Sequence, residues 1–250
     1  MKIVADKPNM LTETPLHYCP GCTHGIVHRL IAEVLEELGK TDNAIGVMPV
    51  GCAVFGYNYF NCDMYQAAHG RAPAVASAVR RVVNPENLIF SYQGDGDCAS
   101  IGMAETVHAA MRGENITVIF INNGIYGMTG GQMAPTTMPG VKATTCVYGR
   151  DPKMYGYPVR LSEMLATLTG PAYIERVACY DVAHVRKTKA ALKKAFEVQM
   201  AKKGLSFIEI LASCPTNYHM TPLEAQEFVK TQGEPYYPLG VYKDITKEEN

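Results

Sequence analysis

No stretch of 18 consecutive apolar residues occurs in the 250-residue chain, so no spanning helix is expected and no membrane role. Neither charge sign is in excess. Lys and Arg number 23 and Asp and Glu 24, which gives no electrostatic reason to bind nucleic acid or an anionic bilayer. The opening residues, Met1 to Pro8, hold no apolar core of a secretory signal. A reducing, cytoplasmic setting is therefore expected, with the eight cysteines not paired as disulfides. There is no internal repeat and no low-complexity tract. What is present is an ordinary globular composition, 47% hydrophobic and 19% charged, enough for one domain with a core.

Apolar periodicity places helices at 25–38, 70–83, 99–112, 162–169 and 184–202. Short apolar runs place strands at 45–50, 88–93, 117–122, 172–178 and 207–211. Strands alternating with helices imply an α/β fold with a mostly parallel sheet flanked by helices. Residues 124–160 are rich in Gly, Pro and Met without a clear period, which marks a functional or interface-bound connection. Residues 1–222 are expected to form the domain. Residues 223–250 are expected to be a C-terminal arm packed on a partner subunit.

The most informative stretch is Gly94-Asp95-Gly96-Asp97-Cys98-Ala99, which follows a strand and opens a helix. Glycines there let backbone approach a phosphate, and a helix N-terminus favours an anion. A loose dinucleotide fingerprint fits the spacing, but two carboxylates facing a diphosphate repel it unless a divalent metal lies between. Mg²⁺ held by one carboxylate and phosphate oxygens meets that need. The next strand ends in Asn122-Asn123-Gly124-Ile125, where the Asn123 amide and the Ile125 carbonyl offer further oxygens. The two halves, spanning thirty residues from Gly94 to Asn123, resemble the thiamine diphosphate motif. That resemblance implies Mg²⁺ on Asp95, Asn123 and the Ile125 carbonyl, within a thiamine diphosphate-binding fold.

Cys19-Pro20-Gly21-Cys22 stands before the first helix, Cys52 follows the first strand and Cys214 the last. Loops at strand ends meet at one edge of an α/β sheet. Four thiolates there suit an iron–sulfur cluster or a structural zinc, and a C-x-x-C alone also reads as a thiol redox pair. The absence of a second C-x-x-C weakens the zinc reading. Cys62, Cys98, Cys146 and Cys179 lack such a setting and read as ordinary packed cysteines.

Cys19-Pro20-Gly21-Cys22-Thr23-His24-Gly25, His69-Gly70-Arg71-Ala72, Gly94-Asp95-Gly96-Asp97, Tyr126-Gly127-Met128-Thr129-Gly130-Gly131-Gln132 and Ser213-Cys214-Pro215-Thr216 are similar, in order, to the β subunit of 2-oxoacid:ferredoxin oxidoreductases. The likeness covers most of residues 16–222. It implies a [4Fe–4S] cluster on Cys19, Cys22, Cys52 and Cys214 beside thiamine diphosphate. It also implies oxidative decarboxylation of a 2-oxoacid to acyl-coenzyme A and CO₂, with electrons passed to ferredoxin. Thr23 stands where the family usually has Gly. Gly94, Gly96, Asp97 and Gly127 are expected at the cofactor, with Thr129 donating to its diphosphate; His24, His69 and Arg71 are candidates to line the site.

In that family the cofactor lies between a diphosphate-binding and a pyrimidine-binding domain, and only the former is expected here. An α-type subunit carrying the pyrimidine domain, a γ-type chain and a ferredoxin-like chain are the implied partners, and the single chain is expected to be inactive. Around the expected pocket stand Ala53, Val54, Phe55, Met128, Gly130 and Gly131, with no Lys or Arg. A 2-oxoglutarate site wants a cation for the distal carboxylate, so a branched acid such as 2-ketoisovalerate is favoured, unless Arg71 or a partner supplies the charge. Two other readings predict different products: a non-redox decarboxylase subunit yields aldehyde without iron, and a zinc-stabilised interaction subunit yields zinc without bound cofactor.

Overall fold

The structure, a computed structural model, describes residues 6–247. The elements run α1 (His24–Glu37), β1 (Ala44–Met48), β2 (Asp63–Gln66), α2 (Ala72–Val82), β3 (Leu88–Gly94), α3 (Met103–Met111), β4 (Thr117–Asn122), β5 (Ile125–Tyr126) and β6 (Gln132–Met133). There follow α4 (Pro152–Tyr155), α5 (Leu161–Ala166), β7 (Pro171–Ala178), α6 (Val182–Met200), β8 (Leu205–Leu211), α7 (Pro215–Tyr218), α8 (Pro222–Phe228), α9 (Glu234–Tyr236) and β9 (Gly240–Asp244). Seven strands form one sheet in the order β2-β1-β3-β4-β8-β7-β9. All neighbours are parallel except β7 and β9.

The inner strands β1, β3, β4, β7 and β8 are buried on both faces, and their side chains alternate between two cores. Phe90, Tyr92, Ile119, Ile121, Ile208 and Ile210 join one core with α1 and α6. Ile89, Val118, Phe120, Phe207 and Leu205 join the other, with α2, α3 and α5. This two-sided covering is what a parallel sheet requires, and it explains why these strands read as continuous apolar runs rather than alternating ones. Each buried large side chain contributes about 1.5–3 kcal/mol by its removal from water.

The expected helices and parallel strands are present within a few residues of their predicted bounds, with one break. The run expected as a helix over 99–112 starts as a wide turn over Asp97–Ile101 and becomes α3 only after Gly102. Besides the short β5–β6 hairpin, two strands of the main sheet escaped prediction. β2 is a short, largely exposed edge strand, and β9 lies in the segment set apart as an arm. Residues 240–244 pair antiparallel with β7 of the same chain, so this part of the segment completes the chain's own sheet.

The connection over 124–160 holds the β5–β6 hairpin and is organised by Arg150. That buried side chain donates from Nη1 to the carbonyls of Ala134, Pro135 and Thr137, and from Nε to that of Gly156. One guanidinium thus satisfies the carbonyls of a segment that has little secondary structure to do so. Among the described residues no helix is long and apolar enough to cross a membrane.

Candidate active site

The carboxyl ends of β1, β3, β4 and β8 point to one edge of the sheet, where an open α/β sheet binds ligands. A cleft of about 120 Å³ lies there. Its wall includes Gly94 to Asp97 after β3, Asn123, Ile125 and Gly127 after β4, and Cys52 after β1. Thus every residue expected at the diphosphate and its metal reaches one cavity, Thr129 at its exposed rim included.

Asp95 is the buried centre of the cleft. Its Oδ1 accepts from the Gly96 N–H at 2.8 Å; its Oδ2 accepts from the Gly124 N–H at 2.7 Å and the Thr136 hydroxyl at 2.6 Å. These bonds join the turn after β3 to the turn after β4. Burial pushes the carboxyl up to about 6, against the pull of Thr136 and of backbone N–H groups. A divalent cation would restore the charged form. One carboxylate, the Asn123 amide oxygen and the Ile125 carbonyl make a hard oxygen donor set that fits Mg²⁺. Asn123 Oδ1 accepts from the Ile125 N–H at 3.1 Å and its carbonyl accepts from the Tyr218 hydroxyl at 3.0 Å, so the turn is held at both ends.

Asp97 has another task. Its Oδ1 accepts from the Gly70 N–H at 2.8 Å and stands 2.5 Å from His69 Nδ1, while Oδ2 accepts from the Gln93 amide at 2.6 Å. The carboxylate orients His69, which lines the cleft. Gly96 is fixed by contact: a Cβ there would lie 2.0 Å from the Tyr126 ring. Thr129 bonds to the Gln132 side chain across the hairpin and accepts from it at its carbonyl, at 2.9 Å.

His24 lines the cleft and is buried, with Nδ1 2.6 Å from the Tyr92 hydroxyl and its ring stacked on Tyr18 at 4.8 Å. Burial pushes it down to about 4, with the charge on His17 adding, so it is neutral at pH 7. Arg71 is not part of the cleft wall; it is exposed and paired with Glu105. Of the apolar residues expected around a substrate, Ala53 and Met128 line the cleft, while Val54 and Phe55 lie in the short turn beside it.

The four expected cluster cysteines converge. Cys22, Cys52 and Cys214 each feel the charge of others in the set, and all three feel that of Cys19. A Cβ at Gly127 would lie 3.1 Å from Cys52 Sγ and 3.7 Å from Cys214 Sγ. Gly127, at the wall of the cleft, is therefore also where the Cys52 and Cys214 sulfurs approach it. The Asn217 amide donates to Cys214 Sγ at 3.3 Å and to the Gly127 carbonyl at 2.9 Å. Thr23 ties two cysteine loops together: its hydroxyl accepts from the Ser213 N–H at 2.8 Å and lies 2.9 Å from the Ser213 hydroxyl. Burial pushes the Cys22 thiol up to about 12 and Cys52 up to about 11. A thiol redox pair needs the opposite shift. Among the described residues no three His, Cys, Asp or Glu side chains stand close enough to share one metal ion.

Thr136, Tyr218 and Asn217 are site residues the sequence did not disclose. They come from the aperiodic connection and from beyond Cys214, and no spacing signals them.

A buried acid between two strand-end turns, with oxygen donors and close-packed glycine, marks an α/β domain whose strand-end cleft suits a diphosphate cofactor. Residues 46–210 match the family described as thiamine pyrophosphate enzyme, C-terminal TPP binding domain. The ketoisovalerate oxidoreductase subunit VorA of Methanothermobacter thermautotrophicus is 48% identical over 235 residues, 94% of this chain and 49% of that protein. The 2-oxoglutarate synthase subunit KorB of Methanocaldococcus jannaschii is 35% identical over 238 residues, 94% of this chain and 83% of that protein. A solved 2-oxoglutarate:ferredoxin oxidoreductase from Magnetococcus marinus, with 2-oxoglutarate, coenzyme A and succinyl-CoA bound, superimposes with a TM-score of 0.76 at 25% identity, covering 97% of this chain and 86% of that one. The chain belongs to the thiamine pyrophosphate enzyme family and, within it, to the VorA/KorB-type subunits of 2-oxoacid:ferredoxin oxidoreductases. It spans about half the length of the VorA proteins it matches.

Proposed function

We propose that this chain is the thiamine diphosphate-binding part of a 2-oxoacid:ferredoxin oxidoreductase acting on a branched-chain 2-oxoacid. The observation that carries the reading is the juxtaposition at Gly127 of the Asp95–Asn123 cleft and two of the four cysteines, Cys52 and Cys214. In this reading Asp95, Asn123 and the Ile125 carbonyl hold Mg²⁺. Gly94, Gly96 and Gly127 admit the diphosphate, and Thr129 closes on it. When bound, thiamine diphosphate supplies the nucleophilic carbon that lets a 2-oxoacid lose CO₂. His24, neutral and fixed by Tyr92 and Tyr18, presents an uncharged imidazole to the cleft. His69 is oriented by Asp97.

Cys19, Cys22, Cys52 and Cys214 would hold a [4Fe–4S] cluster that passes electrons singly to ferredoxin. A zinc ion needs four sulfurs within about 4 Å of one another, and the spread set suits a larger multi-iron body better. High thiol pKa values also favour a bound metal over free thiol chemistry, because the metal itself removes the protons.

The cleft wall contains no Lys or Arg to meet a distal carboxylate, and Arg71 is engaged elsewhere; both favour an apolar acyl tail. The higher identity to VorA than to KorB points the same way. The pyrimidine-binding half of the cofactor site would come from an α-type domain, with γ-type and ferredoxin-like chains completing a cytoplasmic complex that acylates coenzyme A. The deciding experiment is electron paramagnetic resonance on the anaerobically purified complex with coenzyme A. A radical or reduced-cluster signal with 2-ketoisovalerate supports the reading. A signal only with 2-oxoglutarate overturns the substrate, and silence with both in an iron-free protein overturns the cluster.

A further inference from the structure

The segment around 237–242 is more than a hundred residues from the metal turns in sequence, yet it reaches both from behind. Tyr237, buried, donates its hydroxyl to the Thr136 carbonyl at 2.7 Å, with the Val159 carbonyl farther off at 3.4 Å. Thr136 in turn donates its side-chain hydroxyl to Asp95 Oδ2 at 2.6 Å. A second route ends at the other turn. Arg176, fully buried, places Nε 2.9 Å from Glu209 Oε2, an ion pair without hydrogen-bond alignment. Glu209 Oε1 accepts from the Asn122 amide at 2.8 Å, and Asn122 immediately precedes Asn123. Arg176 is paired with Glu163 of α5 and also held by the same C-terminal segment: it donates to the Pro238 carbonyl at 3.2 Å and to the Tyr242 hydroxyl, and lies 5.2 Å and 4.8 Å from the ring centres of Tyr237 and Tyr242.

We infer that Tyr237 and Arg176 are positioning residues for the metal-binding turns, so that the C-terminal segment sets where Asp95 and Asn123 stand. This rests on the Mg²⁺–diphosphate reading of those turns. A small crevice of about 30 Å³, lined by the Asn122–Gly124 turn together with Phe228, Val229 and Tyr237, lies between the turn and the C-terminal segment. Directional bonds hold the turn in place, from the Gly124 N–H to Asp95 Oδ2 and from the Tyr218 hydroxyl to the Asn123 carbonyl. A hydroxyl can hold Asp95 at 2.6 Å only if its own main chain is fixed, and the Tyr237 bond fixes it. Glu209 is a buried charge whose oxygens are shared among Arg176, Asn122 and Ser162, so losing one partner re-aims the others. Neither Tyr237 nor Arg176 lines the cleft, so any effect on the cofactor must pass through the turns.

The test uses Tyr237→Phe, which keeps the ring against Arg176 and removes only the hydroxyl. In the full chain without ligand, amide hydrogen exchange is read at Gly124, whose N–H donates to Asp95. Exchange there should be at least about threefold faster, with α6 amides unchanged. Equal exchange at Gly124 overturns the inference. In the assembled complex, calorimetric titration with thiamine diphosphate in excess Mg²⁺ should show a Kd weaker by about three- to tenfold. In a Thr136→Val background the same change should add nothing, because the hydroxyl it positions is gone. A wild-type Kd in Tyr237→Phe, or full additivity with Thr136→Val, overturns the inference. Failure of the wild-type complex to bind thiamine diphosphate overturns the functional reading instead, and the exchange measurement still decides whether Tyr237 holds the turn.

Discussion

Two aspartates two residues apart, equally buried, carry different work, and the geometry of their partners separates them. Asp97 spends its oxygens on Gln93, Gly70 and His69, whereas Asp95 accepts from hydroxyl and amide donors and faces the cleft. The carboxyl of Asp95 titrates near 3.8 when unfolded and about 6 when folded. The folded state therefore holds the proton better. Its contribution to stability is complete below about pH 4 and is lost as pH rises through 6, a change of about 3 kcal/mol. In chelator, denaturation midpoints of wild type minus Asp95→Asn should fall across that window and then level. Mg²⁺ with thiamine diphosphate should restore stability to wild type above pH 6 and leave Asp95→Asn unchanged. Equally local is Gly96→Ala, whose methyl meets the Tyr126 ring. Thiamine diphosphate affinity should drop more than about tenfold by calorimetry, because either the ring or the turn must shift. Thr23, the departure from the family pattern, does not disturb the cysteine loops; its hydroxyl joins them through Ser213.

Among the elements, the turn between β3 and α3 is built by a close approach of two glycines. A Cβ at Gly102 would lie 2.5 Å from the Gly70 carbonyl, and Gly70 has φ +78°. This contact brings the His69-Gly70 loop onto Asp97, and it breaks the helix that periodicity over 99–112 predicts. The 124–160 connection depends instead on one cation. Arg150→Met leaves several buried carbonyls without a donor, a cost of about 1–3 kcal/mol for each group left unsatisfied. Limited proteolysis should cut within 134–156 of that variant well before any cut in the sheet, while far-ultraviolet circular dichroism stays near wild type.

For the whole molecule, the proposed chemistry needs the cysteine set and the cleft intact together. Single Cys→Ser changes at Cys19, Cys22, Cys52 or Cys214 should each lower iron and labile sulfide in anaerobically purified complex. The same change at Cys62 or Cys179 should leave both at wild-type levels. Comparing kcat/KM for 2-ketoisovalerate and 2-oxoglutarate in that complex should favour the branched acid by at least about tenfold, since a distal carboxylate would meet no cation from this chain's cleft wall.

The apolar runs Leu88–Gln93 and Thr117–Asn122 were enough to determine the parallel strands, because a strand covered on both faces must be apolar throughout. Local chemistry likewise singled out the turns proposed to hold the metal, since Gly94-Asp95-Gly96 and Asn123 offer close backbone approach and oxygen donors in their own atoms. The sequence also marked four cysteines as a set through the company they keep. What only the tertiary structure decided were contacts between residues distant in the chain. Arg71 belongs to Glu105, Thr136 to Asp95, Tyr237 to Thr136, and β9 to the chain's own sheet. Such pairings leave no periodic trace, because a hydrogen bond across a packed core is set by where the backbone brings two side chains, not by the spacing of either along its own segment.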